Sequence, residues 1–151
     1  MTSISDAELI QRLLLAATLG ALIGLEREWR HKDAGLRTNI LITIGSALFT
    51  LMSIELTDAK TGDQSRIAAQ IVTGIGFLGA GAIMRTDAGI QGLTTAATIW
   101  VNAALGVAVG GGKYHLAAIG TAVTLIVLLL LYPIEQYIAR KRPASERAKR
   151  S

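Results

Sequence analysis

Charge is almost absent from five long stretches of this sequence, and this feature limits the possible folds more than any other. The stretches are residues 9–25, 39–54, 67–84, 93–110 and 114–134. They contain one charged residue, Arg12, although the chain carries 15 Lys/Arg and 11 Asp/Glu residues. A helix of a water-soluble protein needs a polar face, which brings charged side chains back at every turn. The sequence therefore predicts an integral membrane protein built from helices.

The lengths of these stretches agree with helices that cross a bilayer, since a hydrocarbon core of about 30 Å needs about 20 helical residues. In the fifth stretch, Tyr114 and Tyr132 lie 18 residues apart. That separation is about 27 Å along a helix and is typical of two interfacial aromatic belts. Pro133 is expected to end or kink this helix. The predicted fold class is all-α, a polytopic bundle of five transmembrane helices over residues 1–134 with a basic tail over residues 135–151.

The basic residues predict how the bundle is oriented. The 26–38 loop, the 85–92 loop and the tail together carry eleven Lys/Arg residues, against four on the opposite side. The positive-inside rule then places the N-terminus outside and the C-terminus in the cytoplasm. Because the basic residues flank apolar stretches, the net charge of +4 indicates anchoring in the lipid bilayer and no nucleic-acid partner.

Several kinds of chemistry are excluded by the residues that are missing. With no cysteine, the chain has no disulfide, thiolate nucleophile, iron–sulfur cluster or cysteine-based zinc site. No Asp or Glu occurs inside the five stretches, whereas Mg²⁺ binds through hard oxygen ligands that usually include carboxylates. No Ser–His–acid arrangement lies at a plausible depth. The sequence therefore predicts no enzyme, no catalytic residue, no metal ligand and no cofactor.

Glycines at helical spacing mark the surfaces where we expect helices to pack. In lipid, helix association depends on close van der Waals contact, which small residues allow. The glycines are Gly20 and Gly24 in the first stretch and Gly74, Gly76, Gly79 and Gly81 in the third. Each costs a helix interior about 1 kcal/mol relative to alanine, so close packing on several sides of the third helix is favoured. The alternative is a broken or re-entrant helix that lines a water-filled path.

Polar residues inside the apolar stretches are the candidates for function. Counted from the outer ends of the third and fourth stretches, Gln70, Thr73 and Asn102 lie at depths of about 5 to 12 Å and are expected to meet. They form either hydrogen bonds between helices or a solvated path for an ion or substrate. Thr94 opens the fourth helix, where it either caps the helix or helps to bind an anion.

The loop after the first stretch adds three further candidates, Glu26, Arg37 and Asn39. Arg37 and Asn39 stand where the second helix enters the bilayer, close enough for Glu26 to reach back. We therefore expect a contact between Glu26 and Arg37. The alternative is a solvated, ion-paired membrane boundary.

Several motifs in this order resemble the MgtC/SapB family. The motifs are GALIGLEREWR at 20–30, AGLRTN at 34–39, RIAAQ at 66–70, GIGFLGAG at 74–81 and GLTTAATIW at 92–100. The resemblance runs from about Leu13 to Tyr114. It implies a bacterial inner-membrane protein with five spans and a cytoplasmic C-terminus. It also implies a link to growth in low Mg²⁺, to survival of pathogens inside macrophages, and to the membrane sector of ATP synthase.

The resemblance covers the membrane domain only. Virulence-type members carry a soluble ACT-like domain after it, and some members have Asn where Thr94 stands. The function expected is Mg²⁺ homeostasis or adaptation to low Mg²⁺, through helix contacts with a second copy or another membrane protein. The alternative is a transporter of a cation or small solute, with a polar path past Gln70, Thr73 and Asn102.

Overall fold

Five helices correspond in chain order to the five apolar stretches of the sequence. The computed structural model describes residues 4–57, 63, 65–87 and 89–141. The helices are α1 (Asp6–Trp29), α2 (Leu36–Leu56), α3 (Ser65–Gly81), α4 (Leu93–Gly110) and α5 (Tyr114–Lys141). A hairpin of β1 (Met84–Thr86) and β2 (Gly89–Gln91) joins α3 to α4.

Helix length separates α3 from the other four. α1, α2, α4 and α5 each have at least 18 residues and are apolar enough to cross a membrane. α3 has 17 residues, and its apolar part is Ala68–Gly81. The predicted all-α membrane bundle is confirmed, whereas the number of crossings and the sides on which the termini lie stay predictions.

Local signals explain where α1 and α2 begin. The Ser5 hydroxyl accepts a hydrogen bond from the Glu8 amide at 3.3 Å, which caps the N-terminus of α1. After α1, His31 adopts a positive φ of 54° and turns the chain. The Leu36 amide then donates to Glu28 Oε2 at 3.0 Å. Glu28 thus satisfies one of the free amides at the start of α2, where a negative charge is favourable.

α2 lies at the centre of the bundle. It packs between α1 and α4, while α3 contacts α4 and α2 and α5 contacts α1 and α4 from the periphery. One apolar cluster joins α1, α2, α4 and α5 through Ala16, Leu19, Ala47, Val109 and Ala117. A second joins the α1–α2 loop, α2, α3 and α4 through Ala34, Ile42, Ile75, Ile99 and Ala103. The many alanines allow the close helix approach on which association in lipid depends.

Arginine–tyrosine pairs join α5 to α1 at both ends. The guanidinium of Arg12 lies 5.9 Å from the centre of the Tyr114 ring, and that of Arg30 lies 3.9 Å from the centre of the Tyr132 ring. The two arginines are 18 residues apart, and so are the two tyrosines. The two helices therefore run in parallel, and the two arginine–tyrosine pairs lie about 27 Å apart. This is the spacing of the two bilayer interfaces, where aromatic rings and cations accumulate.

Pro133 does not end α5, which differs from one of the two outcomes expected. The helix continues through it to Lys141, so residues 135–141 of the expected tail are helical. Proline removes a single backbone hydrogen bond, and membrane helices tolerate that loss better than soluble ones do.

The hairpin between α3 and α4 was not predicted, because the 85–92 segment was interpreted as a loop. Its strands pair antiparallel, with Arg85 opposite Ile90 and Thr86 opposite Gly89. Three residues per strand are too few to show an alternating pattern in the sequence. The positive φ of Gly89, 115°, is a backbone conformation that glycine adopts readily.

Candidate functional site

Two asparagines meet in the interior of the bundle and join α2 to α4. Asn102 Nδ2 donates to Asn39 Oδ1 at 2.6 Å, and both side chains are completely buried. Asn39 Nδ2 in turn donates to the carbonyl oxygens of Ala34 and Gly35 at 2.6 and 2.7 Å. This contact therefore holds the α1–α2 loop, the start of α2 and the middle of α4 in one arrangement.

The Asn39–Asn102 contact leaves one acceptor without a partner. Asn102 Nδ2 also donates to the Thr98 carbonyl at 3.1 Å. Asn102 Oδ1 is buried and accepts no hydrogen bond. A buried unpaired amide oxygen is unfavourable, so Asn102 is the member of the pair whose hydrogen bonding is incomplete.

Gln70 and Thr73 do not join Asn102, contrary to the expectation from depth. Both are exposed on α3, and the Thr73 hydroxyl donates to the Ala69 carbonyl of its own helix at 3.3 Å. The rise per residue determines how deep a side chain lies but not which way the helix is rotated. α3 leaves both residues exposed, and Asn102 pairs with Asn39 instead.

A stripe of small polar residues, missed in the sequence, runs along the buried face of α2. The polar stripe consists of Asn39, Thr43, Ser46, Thr50 and Ser53, all buried. Thr43 and Thr50 donate to the carbonyl oxygens of Asn39 and Ser46, at 3.0 and 2.7 Å. Their alternating spacing of four and three residues is the signal that would have revealed one helix face.

Glycines of α1 and α4 close over the polar stripe. A Cβ atom at Gly20 would lie 2.8 Å from the Asn39 carbonyl oxygen, and one at Gly24 would lie 2.8 Å from Leu36 Cα. From the other side, a Cβ at Gly106 would lie 2.7 Å from Ser46 Cβ. Gly20 and Gly24 therefore lie where close packing was expected. The stripe is therefore a surface of close helix packing.

The glycines of α3, in contrast, are not closely packed against a neighbouring helix. Gly74, Gly76 and Gly81 have no neighbouring atom within 4 Å of a Cβ position, and Gly79 has only ordinary contacts with Ala96. The packing on several sides that their density favoured is therefore absent from the described residues. α3 has α4 and α2 on one side only, which leaves the rest of its surface open.

An open groove of about 1120 Å³ lies between α2 and α3. Leu41, Gly45 and Phe49 line it on α2, and Gly74 and Gly81 line it on α3. Its walls are almost entirely apolar. We call this surface the α2–α3 groove. Of the polar residues predicted to be functional from the sequence, Gln70 lines the groove and Asn102 does not.

The expected contact between Glu26 and Arg37 is wrong. Glu26 Oε1 lies 2.5 Å from Arg30 Nε, and Glu26 Oε2 lies 3.5 Å from Arg27 Nη1. Arg37 is exposed on the first turn of α2. The helical spacing of four residues brings Arg30 to Glu26 without any change in the loop, so Arg37 has no carboxylate to reach there.

Thr94 does not cap α4. The N-cap is Gly92, with a φ of 84° and no side-chain hydrogen bond. A Cβ at Gly92 would collide with the Ala82 carbonyl oxygen, so only glycine fits this turn. Thr94 is exposed, and its carbonyl accepts a hydrogen bond from the Thr98 hydroxyl at 2.8 Å.

Comparison with known proteins assigns the bundle to a family. A family profile described as "MgtC family" matches residues 13–137. The chain belongs to the MgtC family. It is 49% identical over 134 residues to the putative magnesium transporter YhiD of Escherichia coli K12, an alignment that covers 85% of this chain and 62% of YhiD. No solved structure matches the chain.

Other relatives extend the family likeness. Protein MgtC of Salmonella typhimurium LT2 is 48% identical over 141 residues, which is 93% of this chain and 60% of that protein. The uncharacterised protein slr0014 of Synechocystis is 44% identical over 131 residues, or 87% of this chain and 55% of slr0014. This MgtC-family chain spans about three fifths of the length of these curated relatives. The recognition made from the motifs is thereby confirmed.

The described residues of this MgtC-family chain include no group of three or more His, Asp or Glu side chains that is placed to hold a metal ion. Arg12 pairs with Glu8, and Arg30 pairs with Glu26. Both ion pairs link residues four apart along α1, whereas the hydrogen bonds of Asn102 to Asn39 and of Arg12 to the Gly110 carbonyl join different helices.

Proposed function

We propose that this MgtC-family protein acts in Mg²⁺ homeostasis or low-Mg²⁺ adaptation in a bacterial inner membrane, through helix contacts with a second copy of itself. Its role is that of a contact protein and not of an enzyme. The link to magnesium is supported by the relative YhiD, which is named a putative magnesium transporter.

The proposal rests on the two glycines of α3 that line the α2–α3 groove, which we call the glycine wall. Gly74 and Gly81 are seven residues apart on one face of α3, and both line the groove without a neighbour. Each glycine destabilises a helix by about 1 kcal/mol relative to alanine. An acyl chain does not need a glycine wall, whereas a second helix gains close backbone contact from it. A helix is therefore the occupant that accounts for the glycines.

A second copy fits this groove because its equivalent residues lie at the same depth in the membrane. Two copies with the same orientation are related by an axis along the membrane normal, so equivalent residues lie at the same depth. Phe77 is 82% exposed and lies between Gly74 and Gly81 on α3. In a pair of copies, the Phe77 ring of one is level with the glycine wall of the other. The surface is thus complementary to itself, with a large residue beside a hollow.

Cysteine cross-linking tests this pairing directly, because the chain has no cysteine of its own. Phe77→Cys in native membranes is expected to form a disulfide-linked dimer on mild oxidation. Ile126→Cys is the matched control, since Ile126 is 54% exposed on α5 and lies about as far along its helix. The control is expected to remain monomeric. Cross-linking of both variants to the same extent, or of neither, contradicts the proposal.

A second experiment connects the contact to magnesium. Gly74→Leu fills the α2–α3 groove, whereas Gly76→Leu places the same side chain two residues away, outside the groove lining. In a strain that lacks the native protein, Gly74→Leu is expected to lose both the dimer and growth in low Mg²⁺. Gly76→Leu is expected to retain both. A Gly74→Leu protein that supports full growth separates the dimer from the function.

The transporter alternative rests on a different observation. Gln70 and Asp33 line the α2–α3 groove toward opposite ends of α3, and YhiD is named a putative transporter. Cation flux into liposomes that disappears with Gln70→Ala favours transport. A path past Asn102 is disfavoured, because its amide is sealed between α2 and α4 and does not line the groove.

A further inference from the structure

Gln70 is a polar side chain that α3 leaves open to its surroundings. It lies within the apolar part of the helix, Ala68–Gly81, and is exposed. Within the described part of the chain, its side-chain amide makes no hydrogen bond. Thr73 on the same helix differs, because its hydroxyl donates to the Ala69 carbonyl at 3.3 Å. The Gln70 amide therefore keeps both its donors and its acceptor available.

The contacts of α3 with α4 show how deep Gln70 lies. The two helices run in opposite directions, and a Cβ at Gly79 would lie 3.7 Å from the Ala96 carbonyl oxygen. At the far end of α4, the Gly110 carbonyl accepts a hydrogen bond from Arg12, which marks one bilayer interface. Gln70 is nine residues from Gly79, whereas Gly110 is fourteen residues from Ala96. Gln70 therefore lies five residues, or about 7.5 Å, inside the level of that interface.

An exposed amide at this depth is unfavourable unless another group completes its hydrogen bonds. The hydrocarbon core holds no water that could do so. Polar side chains within membrane helices instead form hydrogen bonds to neighbouring helices. Because a glutamine amide both donates and accepts, a second glutamine at the same depth satisfies the first one and is satisfied by it.

Gln70 lies on the same face of α3 as the glycine wall. The spacing of four, three and four residues aligns Gln70, Gly74, Phe77 and Gly81 along the helix, and all four line the α2–α3 groove. This is the surface through which two copies are proposed to pair. Since copies of the same orientation place equivalent residues at the same depth, their two Gln70 side chains lie level with each other.

We propose that the Gln70 side chains of two copies form reciprocal hydrogen bonds across the dimer, with Nε2 of each donating to Oε1 of the other. This inference rests on the proposed pairing through the α2–α3 groove and names the polar contact that sets its register. Glycine packing alone lets two helices slide along each other. A single pair of amides in an apolar interface is satisfied in one register only, which is how buried polar residues specify helix pairing.

Energy transfer between fluorescently labelled full-length copies in phospholipid vesicles measures the dimerisation constant. Gln70→Leu is expected to weaken dimerisation about tenfold, as expected for two hydrogen bonds between membrane helices. Because Gln70 is exposed, the substitution leaves the packing of the bundle in place. Thr73→Val is the matched control, since it removes an exposed hydroxyl that is already paired within α3. The control is expected to change the constant by less than about twofold.

The outcomes separate this inference from the pairing on which it rests. If Phe77→Cys cross-links but Gln70→Leu dimerises like the native protein, or no less than Thr73→Val, the pairing stands and the amide contact is wrong. If Phe77→Cys stays monomeric, both fail together. Gln70→Cys in native membranes is expected to form a disulfide on oxidation and to resist a membrane-impermeant maleimide. Rapid labelling by the maleimide overturns the amide contact, because position 70 then faces water.

Discussion

The interface of α2 with α1 and α4 and the open face of α3 are both rich in glycine, yet they use it in opposite ways. At α2, glycines of the neighbouring helices touch backbone atoms, so that even a methyl group collides. On α3, Gly74, Gly76 and Gly81 face open space. The same residue type therefore marks a completed contact in one region and an unoccupied surface in the other.

This difference shows what holds the bundle together. In lipid there is no hydrophobic force between helices, so stability comes from close contact and from polar groups that are paired inside. The interior around α2 has both, in the polar stripe and in the Asn39–Asn102 hydrogen bond. α3 has neither on its open face. We therefore assign stability to the first region, whereas the second is the surface that we propose contacts a partner.

The largest effect is expected from Asn39→Ala, which tests whether polar pairing dominates the interior. The substitution removes the donor to Ala34 and Gly35 and the acceptor for Asn102. Buried groups left unpaired cost about 1–3 kcal/mol each, so we expect a loss of about 3 kcal/mol or more in the free energy of unfolding. Unfolding in mixed micelles measures it. The control Thr73→Ala, on exposed α3, is expected to change this free energy by less than about 0.5 kcal/mol.

A smaller loss is expected from Gly106→Ala, which tests the closeness of the α2–α4 contact. The added Cβ would lie 2.7 Å from Ser46 Cβ and also touch the Thr43 backbone. Because backbone atoms cannot move aside, overpacking of about 1–3 kcal/mol is expected. The unfolding midpoint in mixed micelles measures this effect. An unchanged midpoint would show that α2 and α4 are less tightly packed than described.

The smallest effect, and the one with opposite sign, is expected from Gly76→Ala. No atom lies within 4 Å of a Cβ at this position, so the methyl group meets no obstacle. Alanine is favoured over glycine in a helix by about 1 kcal/mol. The unfolding midpoint is therefore expected to rise. A fall would show that Gly76, like Gly106, is packed against another helix and would remove the contrast between the two regions.

The apolar stretches could be predicted because they depend only on the chain itself. A helix in lipid must be apolar along its whole length, so α1, α2, α4 and α5 can be found by composition. The neighbours of each helix could not be found in this way. Gln70 and Asn102 lie at plausible depths for a contact, but rotation of α3 separates them. Glu26 likewise pairs within its own helix and not with Arg37.

By itself, the sequence determined that this chain forms a helical membrane protein of the MgtC family. Exclusion of charge from lipid and the order of the motifs are both properties of the linear chain. Only the tertiary structure decided that Asn39 pairs with Asn102. It also decided that the glycines of α1 and α4 pack closely against α2, whereas Gly74, Gly76 and Gly81 of α3 face open space. The physical reason is that a sequence specifies which residues share a helix face, whereas the rotation and approach of whole helices depend on all their contacts together.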